Sequence, residues 1–100
     1  MNIGKAIKTV RQTKYPELSQ QSFAKCVGIT QTYLSQIESG NKNASTETLS
    51  KIADFCEIPL PIMFWYSVEK NDVPEHKKQA FDIIKNPVDE LLNTLIYTKQ

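Results

Sequence analysis

Histidine is all but missing from this chain: one residue in 100, His76, alongside three glycines and two cysteines. That scarcity removes whole classes of chemistry. There is no His-Glu-x-x-His pair, no glycine-rich phosphate loop, no zinc-ligand set, and no cysteine paired in sequence with a plausible base. The reading is of a protein that is not an enzyme and needs no metal or cofactor. Cys26 and Cys56 are too far apart for a CxxC pair, and both fall on apolar-periodic helical positions, as reduced core thiols of a cytosolic protein do. Long hydrophobic runs are missing too. The most apolar stretch, residues 58–66, is interrupted by Pro59 and Pro61 and falls far short of the roughly 20 residues a membrane span needs. The opening MNIGKAIKTVRQTK has no apolar segment leading to a small-residue cleavage site, so the expected location is cytoplasmic. Excess charge is the last absence: the formal net charge is +1 and the pI about 7.7, so composition alone does not announce a nucleic-acid partner. By segment, residues 1–58 carry seven basic and five acidic side chains, and residues 59–100 carry five and six, which makes the front half the basic one.

What is present is helical periodicity in short pieces. One hundred residues allow a single domain, with 40% apolar content to fill one core. Ile3, Ala6, Ile7 and Val10 share a face, with Lys5, Lys8 and Arg11 on another, and the helix they predict ends across residues 13–17 at Tyr15-Pro16. Ser19 then stands as an N-cap before Phe23, Ala24 and Val27, and Gly28 supplies the left-handed residue that closes a helix. Thr30 caps the next helix, lined by Tyr33, Leu34 and Ile37 and closed by Gly40 in the manner of Gly28. Ser45 caps a fourth, with Glu47 in its first turn and Leu49, Ile52, Ala53 and Cys56 on one face. Pro59 and Pro61 bracket the start of a fifth, short and rich in Ile62, Met63, Phe64 and Trp65. The polar run Glu69-Lys70-Asn71-Asp72 reads as a linker. In the tail, Phe81, Ile84, Val88, Leu91 and Leu95 repeat at three-four spacing, with Asn86 read as a cap and Pro87 as a first helical residue, so two helices or one sharp kink are expected.

The second and third helices carry the chemistry. Phe23 and Val27 anchor the former, Ala24 is small enough for a close crossing, and Ile29, Leu34 and Ile37 bury the rear of the latter. Gln31, Thr32, Ser35 and Gln36 are left projecting from a short helix pinned behind, the disposition that lets side chains reach base edges in a major groove. A polar helix face is by itself only a solvated face. The framework around it argues for more. SQQSFAKCVGIT, QTYLSQIESGNKNAS and a capped amphipathic helix, in that order and spacing, resemble the lambda-repressor/Cro-like, or XRE, family of helix-turn-helix regulators across roughly residues 3–66.

That resemblance implies an all-α fold, a five-helix bundle with a helical C-terminal extension. Together with the polar run after Val68 and the tail periodicity, it divides the chain into a DNA-binding domain at 1–67, a linker at 68–74 and an extension at 75–100 that is a candidate dimerisation element. It also implies a double-stranded DNA operator as partner, a homodimer, and repression of transcription. Carried over by position, Gln20, Asn41, Lys42 and Asn43 match phosphate contacts, Gln31, Thr32 and Gln36 match base-reading positions with Ser35 between them, and Arg11 and Glu38 match a structural ion pair. Glutamine amides suit adenine and a threonine methyl suits thymine, which points to an A·T-leaning half-site. The chain departs from the pattern in three places. Its connection from Arg11 to Gln20 is about two residues longer and contains Tyr15-Pro16. Ala44 stands where the family usually has proline, and no arginine or lysine lies on the outward face of the third helix, so the commonest guanine contact is missing.

Other features read plainly. Lys5, Lys8 and Lys42 read as general surface charge, His76 as a surface residue, and Phe64-Trp65-Tyr66 as core, in part a cover for a partner subunit. The rival to a DNA-reading repressor is an antitoxin-like or adaptor protein whose tail binds a protein partner through Phe81, Ile84, Val88, Leu91 and Leu95, with DNA binding secondary. The same stripe also fits homodimerisation, or packing back on its own domain.

Overall fold

In the computed structural model, residues 1–98 are described, and among them every regular element is helical. Five helices, α1 (Ile3–Lys14), α2 (Gln20–Val27), α3 (Gln31–Glu38), α4 (Thr46–Cys56) and α5 (Leu60–Ser67), precede two 3₁₀ turns at Lys70–Asp72 and Glu75–Lys77 and a long helix α6 (Lys78–Tyr97). Helices of eight residues do not persist alone in water, so α2, α3 and α5 depend on their caps and on the core. The caps are local and regular. The hydroxyls of Ser19, Thr30 and Ser45 each accept a hydrogen bond from the backbone N–H three residues on, at Ser22, Tyr33 and Thr48, at 3.0–3.1 Å. Gly28, at φ +92°, closes α2 directly, whereas Gly40, at φ +84°, follows Ser39 one step past the end of α3. Glu57 takes the same left-handed role after α4, a position glycine fills at lower cost.

The core is one cluster to which every helix contributes: Ile7 and Val10, Phe23, Ala24 and Val27, Leu34 and Ile37, Leu49, Ile52, Ala53 and Cys56, then Ile58, Met63 and, from α6, Ile96. The longer connection after α1 has its own anchor. Tyr15 packs against Phe55 and Phe23 at 5.1 and 6.0 Å between ring centroids, and its hydroxyl donates to the Phe55 carbonyl at 3.1 Å. Burial there pushes the Tyr15 phenol up to about 12. Lys14, although a lysine, is buried beside this aromatic group and donates to the Cys56 carbonyl. α1 and α3 cross so closely that a Cβ on Gly4 would fall on the Ile37 carbonyl oxygen. Gly4 is therefore a packing residue inside α1.

Three expectations need correction. Cys26 is exposed and only Cys56 is buried, because the core face of the short α2 is filled by Phe23, Ala24 and Val27 and Cys26 lies on its flank. The tail is one helix, with Asn86 and Pro87 in its interior and neither a cap nor a first turn between two helices. The apolar seam also divides: Phe81 is buried, with its ring 6.2 Å from that of Trp65, while Ile84, Leu91 and Leu95 face solvent. The face of α6 that meets the bundle is instead partly polar. Trp65 Nε1 donates to Asp89 at 2.7 Å, Tyr66 donates to Asn93 at 2.8 Å, and Lys85 Nζ holds the other Asp89 oxygen at 2.9 Å. No helix among the described residues is long and apolar enough to cross a membrane.

Candidate nucleic-acid interface

The candidate site centres on α3, eight residues with two distinct faces. Leu34 and Ile37 are buried and Tyr33 is half-buried, whereas Gln31, Thr32 and Ser35 are exposed and Gln36 half-exposed on the opposite side. At 100° per residue, the outward set at 31, 32, 35 and 36 and the inward set at 34 and 37 occupy opposite arcs, so one register serves both. The outward four and Gln20, at the first turn of α2, line a single open depression of about 260 Å³. No other element lines it, and all five of its side chains carry an amide or a hydroxyl.

Behind the depression lies a charge network that joins three helices. Arg11 on α1 donates from Nε and Nη2 to the two Glu38 oxygens, both at 2.8 Å, and Gln20 Nε2 donates to the same carboxylate at 3.1 Å. The Arg11 and Glu38 side chains are 10% and 4% exposed. The hydrogen bonds to Glu38 raise the Arg11 pKa further, against the opposing effect of burial. The consequence for Gln20 is orientational. With one N–H committed to Glu38, its second N–H and its carbonyl oxygen remain for an outside ligand.

The far end of α3 is tied down separately. The Gln36 carbonyl accepts from the Asn41 and Lys42 backbone amides at 2.9 and 3.1 Å, which folds the loop back on the helix terminus. The Tyr33 hydroxyl accepts long hydrogen bonds from Thr48 Oγ1 at 3.5 Å and the Ser45 N–H at 3.4 Å, and these hold its pKa below the usual phenol range. Asn41, Lys42 and Asn43 are exposed. They do not join the depression that holds Gln20. Lys42 and Asn43 line another groove, of about 480 Å³, with residues that include Met1, Asn2, Ile3 and Gly4 at the start of α1. The sequence-derived site thus falls into two groups on either side of α3, Gln20 with the four outward residues, and the 41–43 loop. Gly4 and the Trp65–Asp89 and Tyr66–Asn93 pairs were not singled out from sequence. Their signals, a glycine within an apolar helix and aromatic residues with polar tips, gain meaning only from the distant residues they meet.

Comparison with known proteins gives three matches. The family described as helix-turn-helix matches residues 17–62, which run from the connection before α2 into α5. The chain is similar to the ImmF control region 10 kDa protein of Bacillus phage phi105, at 41% identity over 61 residues that cover 61% of this chain and 66% of that protein. It is also similar to Control protein C.MunI of Mycoplasma sp, at 38% identity over 64 residues that cover 64% of this chain and 85% of that protein. The chain thus spans just under two thirds of the phage relative and most of the second.

Proposed function

This chain belongs to the helix-turn-helix family, the lambda-repressor/Cro-like or XRE regulators, and from that premise we propose that it is a sequence-specific regulator of transcription that binds double-stranded DNA. In this reading α3 enters the major groove, Gln31, Thr32, Ser35 and Gln36 meet base edges, and Gln20 with Asn41, Lys42 and Asn43 grip phosphates on either side. The chain acts as a repressor and as a dimer on two half-sites. Residues 1–67 form the DNA-binding domain, 68–74 the connection, and 75–100 the extension that joins two copies.

The observation that supports this most is the open depression lined by five amide or hydroxyl side chains, with a buried guanidinium–carboxylate pair fixing Gln20 from behind. Glutamine amides present a donor and an acceptor together, as the adenine edge requires, and a threonine methyl fits the thymine methyl. Without an arginine on the outward face, the half-site leans toward A·T pairs. The test is selection of bound duplexes from a random pool, with binding of the selected duplex followed against salt. The expected site has two half-sites about 34 Å apart or a multiple of that, with steep salt dependence. Gln31→Ala with Gln36→Ala should stay folded and lose sequence preference. An unchanged preference in that folded variant, or a pool of G·C-rich sites alone, overturns the assignment.

A further inference from the structure

Exposed apolar surface in this molecule is concentrated on α6. Of the six large hydrophobic residues that face solvent among the described residues, five, Ile83, Ile84, Leu91, Leu95 and Tyr97, belong to that helix, and scattered exposure would need no such explanation. Ile84, Leu91 and Leu95 are 49%, 74% and 41% exposed, with Val88 half-buried between them. At 3.6 residues per turn these four lie within an arc of about 60°, and the face that meets the bundle, marked by Phe81, Asp89, Leu92, Asn93 and Ile96, is centred roughly 100° away. The arc contains no charged residue.

We infer that this stripe pairs with the same stripe of a second copy, the two α6 helices running antiparallel about a two-fold axis between residues 89 and 90. The inference rests on the proposal that the chain works as a dimer, and names the surface. Its spacing of four, three and four reads the same in both directions, so Ile84 meets Leu95 of the second copy and Val88 meets Leu91. A two-fold contact sets a surface against itself, which favours an uncharged arc because any central charge would face its own sign. The nearest charges, Lys85 and Asp89, are held by each other at 2.9 Å and stay outside. Area sets the strength. The four side chains offer roughly 350 Å² per copy, under half of the roughly 800 Å² per partner in a stable stand-alone interface. The pair is therefore weak in free solution and is completed on DNA, where two half-sites on one duplex raise the effective concentration.

Sedimentation equilibrium of the full chain, from about 10 µM to about 1 mM, should show a reversible dimer with Kd on the order of 100 µM. Leu91→Asp should weaken it about tenfold or more, and Ile83→Asp, 68% exposed but off the arc, should leave it unchanged. Orientation is read with a nitroxide at Ala80→Cys in a Cys26→Ser background. Antiparallel helices place the two labels about 30 Å apart and parallel ones about 10 Å. A chain that stays monomeric to the highest concentration overturns the inference, as does equal weakening by Ile83→Asp, a label distance near 10 Å, or stoichiometric capture of a different protein through Leu91. DNA reading is tested apart. Leu91→Asp should still bind a duplex carrying one selected half-site and lose cooperativity on two, whereas wild-type cooperativity in this variant contradicts the pairing. A wild-type chain that binds no duplex at all counts against the DNA proposal and leaves the sedimentation result standing.

Discussion

Replacing Arg11 by methionine tests the network behind the interface. The substitution keeps much of the aliphatic stem and deletes the guanidinium, which leaves a Glu38 carboxylate, 4% exposed, with Gln20 Nε2 at 3.1 Å as its remaining side-chain donor. Removal of one partner from a fully buried pair costs about 3–5 kcal/mol, most of it the desolvation of the charge left behind. Gln20 persists as a donor and the pair keeps a small exposure, 10% at Arg11 and 4% at Glu38, so the low end applies, about 3 kcal/mol. A domain of this size holds only about 5–15 kcal/mol in total, and at about 4–8 °C per kcal/mol the midpoint should fall by roughly 12–24 °C. Urea unfolding at neutral pH measures this, with an unchanged m-value as the check that the folded state stays compact. A second arm separates charge from packing. Arg11→Met with Glu38→Leu puts apolar groups on both sides and should recover more than half of the loss, a coupling that a double-mutant cycle isolates. In that double variant Gln20 also loses its tether, so affinity should fall evenly across duplex sequences with base preference intact. A loss below about 1 kcal/mol for Arg11→Met, or a double variant no better than the two single losses added, would refute the reasoning.

Gly4→Ala gains intrinsic helix propensity of up to about 1 kcal/mol yet drives a Cβ onto the Ile37 carbonyl oxygen. The helices must part, and a net loss of about 2 kcal/mol in thermal unfolding is expected, a stabilised variant being the contrary outcome. Asp89→Ala removes the acceptor of the sole tryptophan and the partner of Lys85. Its fluorescence should shift to the red and α6 amide exchange quicken, at a cost of about 1–2 kcal/mol, and an unmoved emission maximum would contradict the docking described for α6. Burial pushes Cys56, Tyr15 and Tyr66 up to about 12 from ordinary values of 9.0 and 10.0. Above about pH 9 the unfolded chain therefore releases protons that the folded chain retains, and stability, intact below that, is lost as pH rises toward 12. Alkaline titration of the urea midpoint checks this, and Cys56→Ala should remove the earliest part of the slope.

Features set by near neighbours in the chain were readable before the fold. Ser19, Thr30 and Ser45 cap helices because a hydroxyl there reaches an amide three residues on, and Gly28 takes the left-handed turn because a Cβ is disfavoured in it. The division of α3 into an inward and an outward set follows from helical period alone. Gly4 was not readable, because its reason is the carbonyl of Ile37, 33 positions away. Cys26 misled because an eight-residue helix offers too few turns to tell the centre of its apolar stripe from the flank. α6 misled differently. It carries two adjoining stripes, and the tail periodicity at 81, 84, 88, 91 and 95 follows the more apolar one. Polar matching chose the other for the bundle: Asp89 and Asn93 meet the indole of Trp65 and the phenol of Tyr66, groups that would be costly to bury against leucine. Pro87 was expected to divide the tail, since it cannot donate to the Ile83 carbonyl. The helix runs through it because contacts on both sides, Phe81 and Ile96, hold the two halves in line.

The separation of roles within α3 has a consequence for how such a protein changes. The residues that keep this short helix in place, Thr30, Leu34, Ile37 and Glu38, point to its cap, its core side and Arg11, and none of them lines the outward depression. Gln31, Thr32 and Ser35, by contrast, donate and accept no side-chain hydrogen bond within the described chain at the distances that fix a rotamer, and their exposure means that substitution there costs little stability. Gln20 is the exception, since it belongs to both sets through Glu38. If the outward set reads DNA as proposed, sequence preference can be altered at 31, 32 and 35 without disturbing the fold, whereas a change at 20 alters grip and framework together. Each exposed substitution should therefore move preference with a stability change within about 0.5 kcal/mol, whereas Gln20→Ala should lower stability together with affinity for every duplex, its base preference unchanged. Equal stability losses at Gln31 and Gln20 would mean that the two faces of α3 are not independent.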